Sequence, residues 1–330
     1  MTKEYSRIIK GIAILMMLYL HLFNDPGRTS TLFCLISFNG IPLSHILTRA
    51  AGPVEFFLIL GGYGLYATYK TGTDKHRFSR ILKCYLVYWC SLLFFVPLAC
   101  WLVNDPDYPG TLNTAFLSIT GFETIWYREA WFLLPYVMLS AIYPLLMMVL
   151  DKLKSLATLI VSFVLYAFTV LITQRDYIDI GQDSPYILTF VHMAQFLFPF
   201  YLGSVLCKEK VLDKVRKIQF FRNERMVLLS LAVVIVLRCC FTTYFFIAPV
   251  YALLCIILIS SVKIQGSVRV FLLHIGKYSL LMWMVHAWIY KYLFPDFIYS
   301  FHFPIIIFII LCAVSYAISR VLNWIIPIRL

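Results

Sequence analysis

Charge is scarce in this chain of 330 residues: Asp, Glu, Lys and Arg make up 13% of it, about half of the roughly 25% found in an ordinary soluble domain. No stretch is long and polar enough to fold as a separate aqueous unit, so residues 1–330 read as one integral membrane domain. Carboxylates are scarcer than cations, 16 against 28, for a net charge of +12. The cations nevertheless sit in short gaps between apolar runs, with no basic tail and no basic amphipathic face, which argues against nucleic acid as a partner. The nine cysteines include no C-x-x-C and no His/Cys spacing for a tetrahedral metal site. They read as small lipid-compatible residues, and no metal is expected. No A-x-A-like cleavage site follows Lys3, Arg7 and Lys10, so the first apolar run is a retained helix and not a secretory signal.

Apolar residues are abundant, at 62% with 17% aromatic and a mean hydropathy of +0.84. A helix crossing a hydrocarbon core of about 30 Å needs about 17 to 25 mainly apolar residues. Such runs lie at 8–24, 51–70, 81–103, 130–150, 155–173, 187–206, 226–243, 244–262, 270–294 and 304–323. The expected fold is therefore an all-α polytopic membrane protein with about ten transmembrane helices. The boundary between the seventh and eighth runs is the weakest, because only residues 238–243 could form the turn. Lys and Arg concentrate in cytoplasmic loops, and ten spans put 21 of the 28 on one side and six on the other, with Lys277 inside the ninth run. That asymmetry places both termini in the cytoplasm. The long outer connections 25–50 and 104–129 contain apolar pieces too short to span, at 32–38 and 112–122, expected to be re-entrant or interfacial and able to roof a cavity.

Ionisable groups inside a span cost about 2.5 kcal/mol or more and are functional candidates by default. Here they are His21, Glu55, His192 and His286, all in the outer half of the bundle. Lys10 and His21 are 11 residues apart, about three helical turns, which puts them on one face about 16 Å apart. A cofactor whose phosphates are held at Lys10 could then reach His21 with an extended arm. Glu55 should lie at the depth of His21 and either orients its imidazole or pairs with Arg49 or Arg28. Arg77 and Arg80, at i and i+3 before the third run, share a helix face that grips phosphates or anionic lipid. His192 and Gln195, one turn apart, are candidates to line an acceptor cavity. Trp131 reads as an acceptor contact or an interfacial anchor, and His286 as an acceptor contact or a helix–helix hydrogen bond.

Taken together, these residues resemble the acyltransferase 3 family of bacterial membrane O-acyltransferases. The resemblance rests on Lys10-x10-His21, on the segment from Val54-Glu55-Phe56-Phe57 to Gly61-Gly62-Tyr63, and on Arg77-Phe78-Ser79-Arg80. It continues through Ala130-Trp131-Phe132-Leu133 and through Gly276-Lys277-Tyr278-Ser279 to His286, in family order across nearly the whole chain. Lys10 and Lys83 stand where Arg is commoner, Glu55 where Asp is frequent and Gly61 where Ser is typical. The resemblance implies transfer of an acyl group, usually acetyl, from cytoplasmic acetyl-CoA to a carbohydrate hydroxyl on a cell-surface or lipid-linked glycan. It also implies a place in the bacterial cytoplasmic membrane. His21 would be the base or the acyl-carrying residue, Glu55 its orienting partner, and Lys10, Arg77, Arg80 and Lys83 the contacts to CoA phosphates. The chain ends seven residues past the tenth run, which fits a stand-alone member without a soluble C-terminal domain.

Direct attack with His21 as general base and a covalent acyl-histidine route are equally open at this level. The competing class is a carrier or flippase of a lipid-linked glycan, which would share the span count but has no use for a CoA-binding cation set. Partners expected besides the glycan are membrane lipid and, compatible with an apolar exterior that marks no partner surface, a homo-oligomer.

Overall fold

A computed structural model describes residues 1–72, 77–174, 184–241 and 245–325. Among the described residues, each of the ten apolar runs falls mainly on helix. The first three are α1 (Lys3–Phe23), α2 (Pro53–Thr71) and α3 (Arg77–Leu102). They are followed by α4 (Leu133–Lys152), α5 (Ser155–Gln174) and α6 (Pro185–Lys208). Then come the shorter α7 (Glu224–Cys240) and α8 (Ala248–Ser261), α9 (Gly266–Lys277), α10 (Ser279–Ala287) and finally α11 (Pro304–Ile325). The chain is thus an all-α polytopic membrane protein. Among the described residues, seven helices are long and apolar enough to cross a membrane, or eight when α9 and α10 count as one bent span.

The expected count of ten is corrected at two places. With 14 residues, α8 is too short for an upright crossing of about 30 Å, and α7, with 17, stands at the lower limit. They run antiparallel, because the Lys263 N–H at the end of α8 donates to Glu224 Oε1 at the start of α7 over 3.3 Å. The turn expected between them includes residues 242–244, which lie outside the described residues. The ninth run is not one straight helix: it bends by 68° between Lys277 and Ser279, where Tyr278 leaves α-helical geometry at φ −97°, ψ 7°. Past His286 the chain continues as a π-helical segment, Trp288–Leu293.

Close approach of backbones sets the centre of the bundle. A Cβ on Gly62 would lie 1.9 Å from the Phe200 carbonyl oxygen, and one on Gly203 would lie 1.9 Å from that of Ile59. Thus α2 and α6 cross with glycine against backbone on both sides. In the same way Gly276 of α9 meets the Arg7 carbonyl and Gly11 of α1 meets that of Leu272. Lipid tails are as apolar as Leu, so association in a bilayer depends on this kind of contact more than on burying apolar area. α1 is the hub, packing on α2, α9, α10 and α11. The Arg320 guanidinium of α11 lies 5.8 Å from the Tyr278 ring, so the far end of α11 shares a face of the bundle with the start of α1.

Of the two long connections, 25–50 contains a two-residue antiparallel pairing (Ser37–Phe38 with Ile41–Pro42) and a short helix, Leu43–Thr48, that leads towards α2. The connection 104–129 contains the helix Leu112–Thr120, whose Leu112, Phe116 and Ile119 are exposed, as an interfacial segment would have it.

Candidate active site

His21 lies in the last turn of α1 and His286 near the end of α10. The packing of α1 on α9 and α10 brings them together: His21 Nδ1 is 2.7 Å from His286 Nε2, with the rings stacked 5.0 Å apart. His286 is fully buried, whereas His21 is only half-buried. His286 Nδ1 faces two carbonyl oxygens, 2.8 Å from that of Trp283 and 3.2 Å from that of Met282. The Tyr127 hydroxyl, 3.3 Å away, spends its own proton on the same Trp283 carbonyl. Carbonyl oxygens only accept, so Nδ1 carries the proton of a neutral His286 and Nε2 its lone pair. His21 must then donate from Nδ1, leaving the lone pair on its Nε2. These tautomers are assigned from the hydrogen-bond network. They give the pair a direction, in which the buried imidazole fixes the more accessible one with its lone pair on Nε2.

The sequence offered His286 as an acceptor contact or a helix–helix hydrogen bond, and Glu55 as the orienting partner of His21 or the partner of an arginine; the structure gives His21 the second histidine as its neighbour. Glu55 sits in the first turn of α2, after Pro53 at the helix start. It lines a cavity of about 710 Å³ at the end of the bundle opposite the amino terminus, and Leu20 and Asn24 line it from α1. His21 is about 100° round the helix from Leu20, which turns it away from Glu55 and towards α10. The Glu55 carboxylate shares the cavity with Arg49, Arg238, Trp131, His192 and Gln195. Trp131 and His192 stack edge-on at 4.9 Å, and Gln195 Nε2 donates to Thr173 Oγ1 over 3.1 Å. Three of the four expected acceptor contacts therefore meet in one cavity, with His286 apart from them.

A second cavity, of about 760 Å³, opens at the amino-terminal end. Lys3, Arg7 and Lys10 of α1, Lys83 of α3 and Lys277 at the bend line it, and no carboxylate is among its described lining residues. The contacts of Gly11 and Gly276 hold the Arg7–Lys10 turn against Lys277. This concentration of like charge suits a ligand with several phosphates. Arg77 and Arg80 are not among the lining residues: Arg77 is exposed, and the Arg80 guanidinium lies 5.9 Å from the Tyr143 ring. Lys75 and His76 beside them lie outside the described residues.

One group that the sequence did not single out supports the histidine pair from behind. Glu129, 8% exposed, takes Lys291 Nζ at 2.7 Å and the Tyr292 hydroxyl at 2.8 Å on its two carboxylate oxygens. Its backbone carbonyl accepts from Trp283 Nε1 over 2.9 Å. This ties the connection before α4 to the carbonyl that holds His286. The signal available in the sequence was a Glu directly before Ala130-Trp131.

The acyltransferase domain family matches residues 4–324, nearly the whole chain. The chain belongs to that family. No curated protein and no solved structure matches it. Membership makes the chain a multi-pass membrane acyltransferase.

Proposed function

We propose that the protein moves an acetyl group from acetyl-CoA, held by its phosphates in the cytoplasmic basic cavity, to a carbohydrate hydroxyl in the outer cavity, in the inner membrane of a bacterium. The observation that carries this reading is α1 itself. Its first turns line a cavity rich in cations and poor in carboxylates, and three turns on, about 16 Å away, it carries His21, whose neighbours Leu20 and Asn24 line the outer cavity. In the reaction, His21 Nε2 takes the proton of the acceptor hydroxyl, the oxygen attacks the thioester carbonyl, and the carbon–sulfur bond breaks to release CoA thiolate. The developing imidazolium keeps its Nδ1–H on His286 Nε2, so the base need not reorient. Lys10, Lys83 and Lys277 hold the donor, while Glu55, Trp131, His192 and Gln195 position the sugar.

The test is acceptor-dependent release of free CoA from acetyl-CoA by protein in nanodiscs, with crude envelope glycan as acceptor. His21→Ala is expected to lower kcat by about 10²- to 10⁴-fold, the usual contribution of a general base. Lys277→Gln is expected to raise the KM for acetyl-CoA, and Arg77→Gln to leave it unchanged. Full activity of His21→Ala would overturn the assignment of the base. Absence of acetyl-CoA binding or turnover with any acceptor would favour a carrier of lipid-linked glycan.

A further inference from the structure

We propose that a pocket between the α6–α7 connection and the junction of α8 with α9 binds a phosphate monoester, separately from the basic cavity at the same end of the bundle. The pocket holds about 670 Å³ and shares no lining residue with either of the other two cavities. Tyr5 of α1 lines it, whereas Lys3 and Arg7 line the basic cavity. Each of these is two residues from Tyr5, about 200° round the helix, so the start of α1 stands between the two spaces. The Tyr5 hydroxyl fastens this wall to the end of α8 by donating to the Val262 carbonyl over 2.8 Å.

Three observations define the ligand. First, Arg216, Arg222 and Lys263 line the pocket against one carboxylate, Glu224. That carboxylate accepts the Lys263 backbone N–H over 3.3 Å, and none of the three cations forms an ion pair among the described residues. The excess of two positive charges is about what a phosphate monoester carries in negative charge at neutral pH. The guanidiniums spend little on the protein: Arg216 Nη2 donates to the Ser260 carbonyl over 3.3 Å, and Arg222 Nε to the Arg216 carbonyl over 3.5 Å. Most of their five N–H donors each stay available. Second, Ser260, 3% exposed, lines the same pocket, and its Oγ has no hydrogen-bond partner. An unpaired buried hydroxyl is costly, and a phosphate oxygen relieves that cost by accepting its proton. Third, α9 begins here uncapped: Gln265, also in the lining, makes no side-chain bond to the amides that follow it. Free amides at the positive end of a 12-residue helix favour an anion. Together these donors outnumber the two oxygens of a carboxylate and suit the three terminal oxygens of a phosphate monoester. A soluble phosphate ester and the headgroup of phosphatidic acid share this chemistry.

The experiment follows hydrogen exchange in the full chain in phosphatidylcholine nanodiscs, with glycerol 3-phosphate and phosphatidic acid as separate probes. One of them should slow exchange of the Gly266–Val268 amides by at least about fivefold, and titrating this protection gives an affinity. Protection by glycerol 3-phosphate identifies a soluble ligand, and protection by phosphatidic acid alone a lipid. Arg216→Gln/Arg222→Gln should weaken the affinity by about tenfold or more, and Ser260→Ala by about threefold without lowering the melting temperature of the free protein. Lys152→Gln/Lys154→Gln, which removes two exposed cations outside the pocket, should leave the affinity unchanged. No protection by either probe, or protection confined to residues 3–10 and Lys277 at the basic cavity, would overturn the proposal. Unchanged affinity in both pocket variants would overturn it too, as would an equal loss in Lys152→Gln/Lys154→Gln, which would mean diffuse attraction to a positive face. None of these outcomes depends on acyl transfer, so failure here and failure of the acyltransferase reading are told apart.

Discussion

At the scale of single residues, the decisive contact is the 2.7 Å bond between His21 and His286. Under the proposed function His286 is a positioning residue: its Nδ1 proton on the Trp283 carbonyl leaves Nε2 able only to accept, which in turn decides which nitrogen of His21 holds the lone pair. His286→Phe should lower kcat by about 10²-fold with the KM for acetyl-CoA unchanged. His286→Gln, whose amide oxygen can accept from His21 Nδ1, should recover much of that loss. A merely structural role would move both variants alike, and steady-state kinetics on the pair separates the two cases. Tyr127→Phe leaves the bond from His286 to the Trp283 carbonyl in place and should change kcat by no more than about threefold.

At the scale of the elements, the helices were legible because the cost of polar groups in lipid writes each span into the sequence as an apolar run. The candidate residues were legible for the same reason, since an imidazole or carboxylate in such a run stands out. What hydropathy could not supply is the rotation of each helix about its own axis. A turn of about 100° between Leu20 and His21 decides whether α1 offers its imidazole to Glu55 or to His286. That rotation is set by contacts between glycine and backbone, and a run of apolar letters does not mark these. Nor could it supply Glu129, which lies in a connection and not in a run, or the bend at Tyr278, which no proline announces. The glycine contacts themselves are testable. Gly203→Leu forces a side chain into the Ile59 carbonyl and should destabilise the bundle by about 3 kcal/mol or more. Gly64→Ala, where a Cβ meets nothing within 4 Å, should leave the thermal transition in detergent unchanged or slightly higher.

At the scale of the whole molecule, the two cavities lie at opposite ends of the bundle and α1 reaches both, so donor and acceptor would arrive from opposite sides. The distribution of Lys and Arg predicts that the amino-terminal end faces the cytoplasm. The cation set of the amino-terminal cavity was readable only in part, as Lys10 and Lys83. Lys3 and Arg7 counted only as orientation charges, and Lys277 only as part of the ninth run, until folding brought them to one cavity, whose described lining does not include Arg77 or Arg80.

Gathering those five cations in one place has a thermodynamic consequence. They repel one another across a cavity with no acidic residue in its described lining, so the native state is held together against a local electrostatic pressure that any polyanion relieves. Ligand binding is then also a folding term, growing as RT ln(1 + [L]/Kd). CoA should raise the melting temperature of the detergent-solubilised protein, dephospho-CoA should raise it less, and salt alone should reproduce part of the rise by screening. Lys277→Gln should narrow the gap between the free and CoA-bound melting temperatures from both directions, stabilising the free protein while weakening the gain from ligand. In cells, the protein would be most resistant to unfolding when its donor is plentiful, so that its lifetime in the membrane follows the acyl-CoA supply.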